Sequence, residues 1–201
     1  MRLGLVSDIH ASHGSLVRAF DILADRRVDR VACMGDIVQK GPDGEAVVQL
    51  LRSHWVSCVQ GNHDANAVRR AREEGDFGGL SAESIDWLEQ LPGELAFEWD
   101  GVRVALAHAA PCGVDEYVWP DDIPKRLKRA LRATEYDVIV LGHTHVPMKV
   151  RYLDVWLINP GFVRGTQSRD SHTCGVLSLP SLDLEIVSLE DGRSVEYATG
   201  E

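Results

Sequence analysis

The sequence predicts an α/β protein with two β-sheets. In the first half of the chain, short apolar runs alternate with helical stretches, which is typical of βαβ units and a parallel or mixed sheet. In the second half most predicted elements are strands, and the first two flank Asp100-Gly101, a dipeptide that favours two-residue hairpin turns. Two sheets therefore fit the pattern better than one doubly wound sheet. The 201 residues show no internal repeat or linker, so we expect a single domain over 1–201.

Three strands and four helices are predicted in the first half. The strands are short runs rich in apolar residues, at 3–7, 30–34 and 55–59. The first helix carries apolar residues at near-helical spacing, at Leu16, Phe20 and Leu23. Ser15 is expected to cap that helix. The other helices are expected over 45–51, over 65–74, and from a capping Ser81 to Leu91.

The second half is predicted to be mostly strands. The hairpin strands cover 97–99 and 102–106, on the two sides of the Asp100-Gly101 turn. Later apolar runs predict strands over 138–141, 155–158, 173–179 and 184–189. One helix is expected near 125–133.

Composition and charge exclude several classes of function. The 21 Lys and Arg against 31 Asp and Glu give a net charge of −10, which disfavours duplex nucleic acid as a partner. No apolar run approaches the roughly 20 residues that a transmembrane helix needs, and the N-terminal apolar stretch is too short for a secretion signal. The four cysteines show no C-x-x-C spacing. We therefore expect reduced thiols in a cytoplasmic protein, with Cys33 and Cys58 as packing residues and no role assigned to Cys112.

Five predicted strands are each followed by residues of the types that bind metals. These residues are Asp8 and His10, Asp36, Asn62 with His63 and Asp64, His108, and finally His143 and His145. Taken singly, each is more often an ordinary loop residue than a ligand. The carboxyl ends of strands in open α/β sheets converge on one crevice, and residues two apart in an extended chain share a face. Because residues of these types follow all five strands, the sequence predicts a metal centre.

The predicted ligand set selects the kind of metal. Carboxylate, carboxamide and imidazole groups without a nearby thiolate suit Mn²⁺, Fe²⁺, Co²⁺, Ni²⁺ or Zn²⁺. Two Asp, one Asn and four His are too many for one tetrahedral zinc ion, but they suit two ions. A pair of ions about 3.5–4 Å apart is the arrangement that clamps an in-line phosphoryl displacement.

The order of these motifs resembles the calcineurin-like metallophosphoesterase family. The resemblance runs from Asp8-x-His10 through Gly35-Asp36-(x)4-Gly41, Gly61-Asn62-His63-Asp64 and His108 to Gly142-His143-x-His145, and on to Asn159-Pro160-Gly161. Gly41-Pro42 and Glu116-Tyr117-Val118 are similar to the small bacterial and archaeal phosphodiesterase branch. The resemblance implies a four-layer α/β/β/α sandwich with a dinuclear site between the two sheet edges.

The resemblance also implies a role for each motif residue. Asp8, His10 and His145 would bind the first metal ion. Asn62, His108 and His143 would bind the second, and Asp36 would bridge the two. His63 is similar to the family's histidine that faces the leaving group, with Asp64 orienting its ring. The chain departs from the family at Ala109-Ala110 and at Phe162, which leaves the ligands intact and the substrate open.

The activity that follows is a phosphodiesterase with two divalent ions, Mn²⁺ being favoured. Hydroxide bridging the ions would attack phosphorus in line, and His63 would protonate the departing alkoxide. The expected substrate is a small phosphorylated compound, including nucleotide-derived ones, with no membrane partner. The sequence leaves open whether the protein is a homo-oligomer.

Three other interpretations remain open at this point. Within enzymes, the protein could be a phosphomonoesterase or a dinucleoside-polyphosphate hydrolase in which Arg69, Arg70 and Arg72 reach a second phosphate. We favour a solvated helical face for these arginines, paired with Glu73 and Glu74. Outside enzymes, a retromer subunit of similar fold serves as an interaction platform. Phe77 and Trp119 fit either a substrate pocket or a subunit contact.

Overall fold

The computed structural model describes residues 1–110, 116–165 and 171–200, so Cys112 lies outside the described residues. Its helices in chain order are α1 (His13–Asp25), α2 (Gly44–Ser53), α3 (Asn62–Glu74), α4 (Ala82–Gln90) and α5 (Lys125–Leu131). Its strands are β1 (Arg2–Val6), β2 (Arg30–Cys33), β3 (Ser57–Cys58), β4 (Glu94–Trp99), β5 (Val102–Ala107), β6 (Val138–Val140), β7 (Met148–Tyr152), β8 (Val155–Asn159), β9 (Thr173–Ser178), β10 (Asp183–Ser188), β11 (Ser194–Val195) and β12 (Ala198–Gly200).

The strands form two six-stranded mixed sheets, one ordered β11-β10-β9-β1-β2-β3 and the other β12-β7-β8-β6-β5-β4. In the first sheet β1, β2 and β3 run parallel to one another, while β9 pairs antiparallel with β1. In the second sheet β5, β6 and β8 run parallel, and β4 and β7 pair antiparallel at their flanks. The parallel strands of each sheet therefore end at a common edge.

Three apolar clusters separate the structure into layers. One cluster joins α1, α2, α3 and α4 to the outer face of the first sheet and includes Leu16 and Leu51. A second lies between the two sheets and includes Leu5 and Val140. The third joins the outer face of the second sheet to α5, around Leu127. The resulting order of helices, sheet, sheet and helix confirms the predicted fold class.

Several element boundaries differ from those predicted. Helix α1 has Ser12, not Ser15, at its N-cap, and Ser15 lies inside the helix. Strand β3 spans only two residues, because the N–H groups of Trp55 and Val56, predicted to lie in it, donate to carbonyls in the last turn of α2. Helix α3 begins at Asn62, three residues earlier than predicted, because Asp64 accepts a hydrogen bond from the Gly61 N–H at its start.

Other local predictions are confirmed. Asp100 and Gly101 adopt φ values of 52° and 75° between paired Trp99 and Val102, which is the backbone that a two-residue hairpin turn requires. The Ser81 hydroxyl accepts a hydrogen bond from the Ser84 N–H at the start of α4. Strands β7, β11 and β12 were not predicted. Within the described part of the chain, no helix is both long and apolar enough to cross a membrane.

Candidate metal centre

The residues after five strands meet where the edges of the two sheets come together. Strands β1, β2 and β3 of the first sheet lead into one half of the group, and β5 and β6 of the second lead into the other. Among the residues that the structure describes, three sets of side chains have ligand atoms within 4.8 Å of one another: Asp8, His10 and His145; His10, Asp36 and His63; and Asp36, His108 and His143. Asp36 belongs to two of these sets.

The Asp36 carboxylate lies between two histidines. Its Oδ2 is 3.6 Å from Nε2 of His10, and its Oδ1 is 3.4 Å from Nε2 of His108. Burial alone would raise the pKa of Asp36, but hydrogen bonding and charge from His108 outweigh burial and hold that pKa well below its usual range. The carboxylate is thus ionised, with one oxygen toward each histidine.

The first set of donors surrounds Asp8. Oδ2 of Asp8 accepts hydrogen bonds from the Ser7 hydroxyl (2.6 Å) and from the His143 N–H (3.0 Å). Oδ1 is buried and has no hydrogen-bond partner among the described residues, and Nε2 of His145 lies 3.2 Å from it. Burial lowers the pKa of His10 to about 4, so its ring is neutral at pH 7. A buried oxygen left without a hydrogen-bond partner costs free energy, and a cation bound beside the neutral His10 ring would satisfy it.

The second set of donors surrounds His108. Its Nδ1 donates to the Met34 carbonyl at 2.6 Å, so Nε2 is the ring nitrogen that faces the other donors. That Nε2 lies 3.0 Å from Oδ1 of Asn62 and 3.1 Å from Nδ1 of His143. Burial alone would lower the pKa of His108, but contact with Asp36 raises it to about 9. A metal ion bound at Nε2 would therefore displace a proton. The oxygen and imidazole donors of both sets fit divalent transition metals.

His63 lies at the edge of the cluster. Its Nε2 is 4.0 Å from Oδ2 of Asp36, and its Nδ1 is 2.9 Å from Oε1 of Gln39. Because that amide oxygen accepts, Nδ1 carries a proton and Nε2 faces the cleft. Burial lowers the pKa of His63. Sequence reasoning missed Gln39, since nothing in its residue type distinguishes it from any other loop glutamine.

The structure corrects the role predicted for Asp64. Its Oδ1 accepts hydrogen bonds from the Ile37 and Val38 N–H groups at 2.9 and 3.0 Å, and its Oδ2 accepts from Gly61 at 2.9 Å. Burial and the nearby charge of Asp36 raise the pKa of Asp64 to about 7. The carboxyl group therefore ties the loop after β2 to the start of α3, while Gln39 contacts the His63 ring.

Five of the predicted ligands have left-handed backbone conformations. The φ values are 55° at Asp8, 46° at His10, 52° at Asp36, 67° at His143 and 62° at His145. Such conformations cost about 1–3 kcal/mol at residues other than glycine and cluster at functional sites. The neighbouring structure must therefore hold these backbone conformations in place. One such contact is the stacking of Phe162 on the His145 ring, with 4.1 Å between centroids.

Glycine is required where two loops touch behind the site. A Cβ at Gly142 would clash with the Ser7 hydroxyl and lie 2.9 Å from Oδ2 of Asp8. We expect Gly142→Ala to lower the free energy of unfolding by about 1–3 kcal/mol and to reduce the metal bound per chain, measured by chemical denaturation and elemental analysis. Gly14→Ala is the control, because a Cβ there meets no atom within 4 Å. The same free energy of unfolding and metal content in both variants would show that the close approach of Gly142 to Ser7 has no effect.

The cluster opens into a depression of about 270 Å³ lined by Asp36, Asn62, His63, His143 and His145, with Lys40, Tyr117 and Trp119 also at its walls. Nζ of Lys40 is 3.3 Å from Nε2 of His10. A neighbouring cavity of about 290 Å³ shares Lys40 and is lined by Phe77 and Arg70.

The arginines of α3 form surface ion pairs, as the favoured interpretation predicted. Arg69 pairs with Glu73 and Glu74 at 3.2 and 3.1 Å. Arg72 instead pairs with Asp86 and Glu89 of α4.

Comparison with known proteins identifies the family. The chain matches the calcineurin-like phosphoesterase superfamily domain over residues 1–181. It belongs to this superfamily. One relative, phosphodiesterase MJ0936 of Methanocaldococcus jannaschii, is 25% identical over 191 residues, with 92% of this chain and 94% of the relative covered. Serine/threonine-protein phosphatase 2 of Escherichia coli is 27% identical over 170 residues, with 69% and 78% covered.

The fold of this calcineurin-like chain also occurs among solved structures. A metallophosphoesterase from Sphaerobacter thermophilus has a TM-score of 0.73 at 25% identity, and the match covers 98% of this chain and 89% of that one. Family membership and fold agree with the resemblance predicted from the motifs.

Proposed function

We propose that the protein is a phosphodiesterase that works with two divalent metal ions, Mn²⁺ being the favoured one. The observation that carries this proposal is the position of Asp36, whose two carboxylate oxygens face two different sets of donor atoms. A carboxylate in that position suits a bridge between two ions, which is the arrangement used for in-line phosphoryl displacement.

Each ion would have its own set of ligands. Asp8, His10 and His145 would hold one ion, and Asn62, His108 and His143 would hold the other. Asp36 would contribute one oxygen to each. The unpartnered buried oxygen of Asp8 and the orientation of the His108 ring, which turns Nε2 toward the cluster, support this assignment. Bound there, the ions would act as Lewis acids toward the phosphoryl oxygens and activate a water molecule.

The remaining site residues would handle the substrate and its leaving oxygen. His63 would hold a proton at Nε2 for the departing alkoxide, with Nδ1 fixed by Gln39. The negative charge of a bound phosphate would favour the protonated ring that this role requires. Nζ of Lys40, at the wall of the same depression, would place a positive charge beside the phosphate oxygens.

A diester is favoured over a monoester by the phosphodiesterase relative, which aligns over nearly its full length. The protein phosphatase relative supports phosphomonoester hydrolysis as a second candidate. Turnover of bis(4-nitrophenyl) phosphate, 4-nitrophenyl phosphate and a dinucleoside tetraphosphate by the same metal-loaded preparation separates the candidates. We expect kcat/KM to be highest for the diester, and a higher value for the monoester would make the protein a phosphatase.

Removal of metal is expected to abolish turnover. Oxygen and imidazole ligands hold divalent ions less tightly than thiolates do, so EDTA followed by gel filtration should strip the site. Mn²⁺ should then restore hydrolysis of bis(4-nitrophenyl) phosphate, with Mg²⁺ as the comparison ion and circular dichroism as the test of folding. Full activity after verified metal removal would contradict the proposal. Folded protein that binds no Mn²⁺ would instead support an interaction scaffold.

A further inference from the structure

Two aromatic side chains continue outward from the candidate metal centre. The Tyr117 ring stacks on His143 with centroids 4.0 Å apart and planes 27° apart. The Trp119 ring lies parallel to Tyr117, at 8° and 6.1 Å between centroids. Both line the depression that contains Asp36 and His63. We call His143, Tyr117 and Trp119 the aromatic row.

The outer rings of the aromatic row are exposed but held in place. Tyr117 is 53% exposed and Trp119 is 39% exposed. Val118, between them, is buried in the cluster beneath α5. Trp119 and Asp122 exchange two backbone hydrogen bonds of 3.2 Å. Because Val118 and these hydrogen bonds hold the backbone that carries both rings, less conformational entropy is lost when a ligand stacks on them.

The His63 ring and the inner end of the aromatic row group with different oxygens of Asp36. His63 groups with His10 near Oδ2 of Asp36, whereas the row begins at His143, which groups with His108 near Oδ1. In an in-line displacement the leaving oxygen departs on one side of phosphorus. If that side is the one facing His63, the row faces the group that stays on phosphorus.

We propose that Trp119 and Tyr117 bind an aromatic ring on the retained alcohol of the substrate, so that a nucleoside monophosphate is the class of product. This inference rests on the proposed function. A nucleobase is the ring that suits the row, because every base presents a π-face to an aromatic side chain. The net charge of −10 disfavours a long nucleic acid strand as the source of that base.

The test compares two diesters that share a nitrophenolate leaving group and differ in the retained alcohol. These are thymidine 5′-(4-nitrophenyl) phosphate and methyl 4-nitrophenyl phosphate, assayed with manganese-loaded protein. The quantity compared is kcat/KM for the thymidine ester divided by kcat/KM for the methyl ester. We expect Trp119→Ala to lower this ratio by about 5- to 150-fold, which is the effect of losing one base–aromatic stack. Trp119→Phe should keep most of the ratio.

Trp55→Ala is the matched control, since Trp55 is also exposed but lines a separate groove with Arg52 and Trp87. An unchanged ratio in Trp119→Ala, or an equal fall in Trp55→Ala, would overturn the inference. A second test needs no turnover: calorimetry compares the affinity for thymidine 5′-monophosphate, which can stack on the aromatic row, with that for methyl phosphate, which cannot. If the wild type hydrolyses neither ester, the proposed function fails. Weaker thymidine monophosphate binding in Trp119→Ala would still support the subsite, and equal binding would exclude it.

Discussion

Replacing Asp36 with asparagine is expected to abolish hydrolysis and to empty both proposed metal positions. An amide offers one good acceptor atom and no negative charge, whereas the carboxylate offers an oxygen to each set of donors. The fold should persist, because Oδ1 of the new amide can still accept the hydrogen bond from the His63 N–H that Asp36 accepts at 2.9 Å. Elemental analysis after gel filtration should find less than one ion per chain.

Asp154→Asn is the control for the Asp36 experiment. Asp154 has a fully exposed side chain in the turn after β7 and pairs only at the surface, with Arg151 at 3.3 Å. Its replacement removes the same charge without touching the cluster, so metal content and turnover should match the wild type. An Asp36→Asn protein with two ions per chain and near-normal turnover would disprove the bridging assignment.

His63→Ala is expected to slow hydrolysis strongly while leaving both ions bound. General acid catalysis contributes roughly 10²–10⁴-fold, and its contribution depends on the leaving group. Nitrophenolate departs readily without a proton, whereas an alkoxide is strongly basic and needs one. The loss should therefore be small for nitrophenyl esters and should approach the upper end of the range for dinucleotides.

We would measure kcat for both substrate types and the metal content of the variant. The control is His54→Ala, because His54 is an exposed histidine at the end of α2. Equal losses on both substrate types would favour phosphate positioning over proton donation. Loss of metal from His63→Ala would make His63 a ligand, which its place beside His10 and Asp36 allows sterically.

The sequence predicted which residues converge, because the reason is topological. Parallel strands of one sheet end at a common edge, so polar residues directly after β1 and β2 lie together, as do those after β5 and β6, and the packing of the two sheets brings both groups to one place. The left-handed backbone at Asp8 or His143 could not be predicted, since these residue types adopt such φ values only where the surrounding structure holds them.

The errors have similar physical causes. The motif places Asp64 beside the His63 ring, but backbone N–H groups take both of its oxygens, Oδ1 from Ile37 in the loop after β2 and Oδ2 from Gly61 at the start of α3. Serine is favoured at N-caps, so Ser12 and Ser15 are equivalent by residue type, and the backbone decides between them: the Leu16 N–H donates to the Ser12 carbonyl, which starts the helix at His13. The stacking of Tyr117 on His143 joins residues 26 positions apart in two loops, a pairing that no local pattern encodes.

The supply of donors by both sheets has a consequence for the lifetime of the folded chain. Asp8, Asp36 and Asn62 follow strands of one sheet, and His108 and His143 follow strands of the other. Ions bound as proposed would cross-link the sheets across their apolar interface. Ligands that bind only the native state stabilise it by mass action, by about 4 kcal/mol at a thousand times Kd. The amount of metal in the cell would then control how long each molecule survives proteolysis, as well as how fast it works.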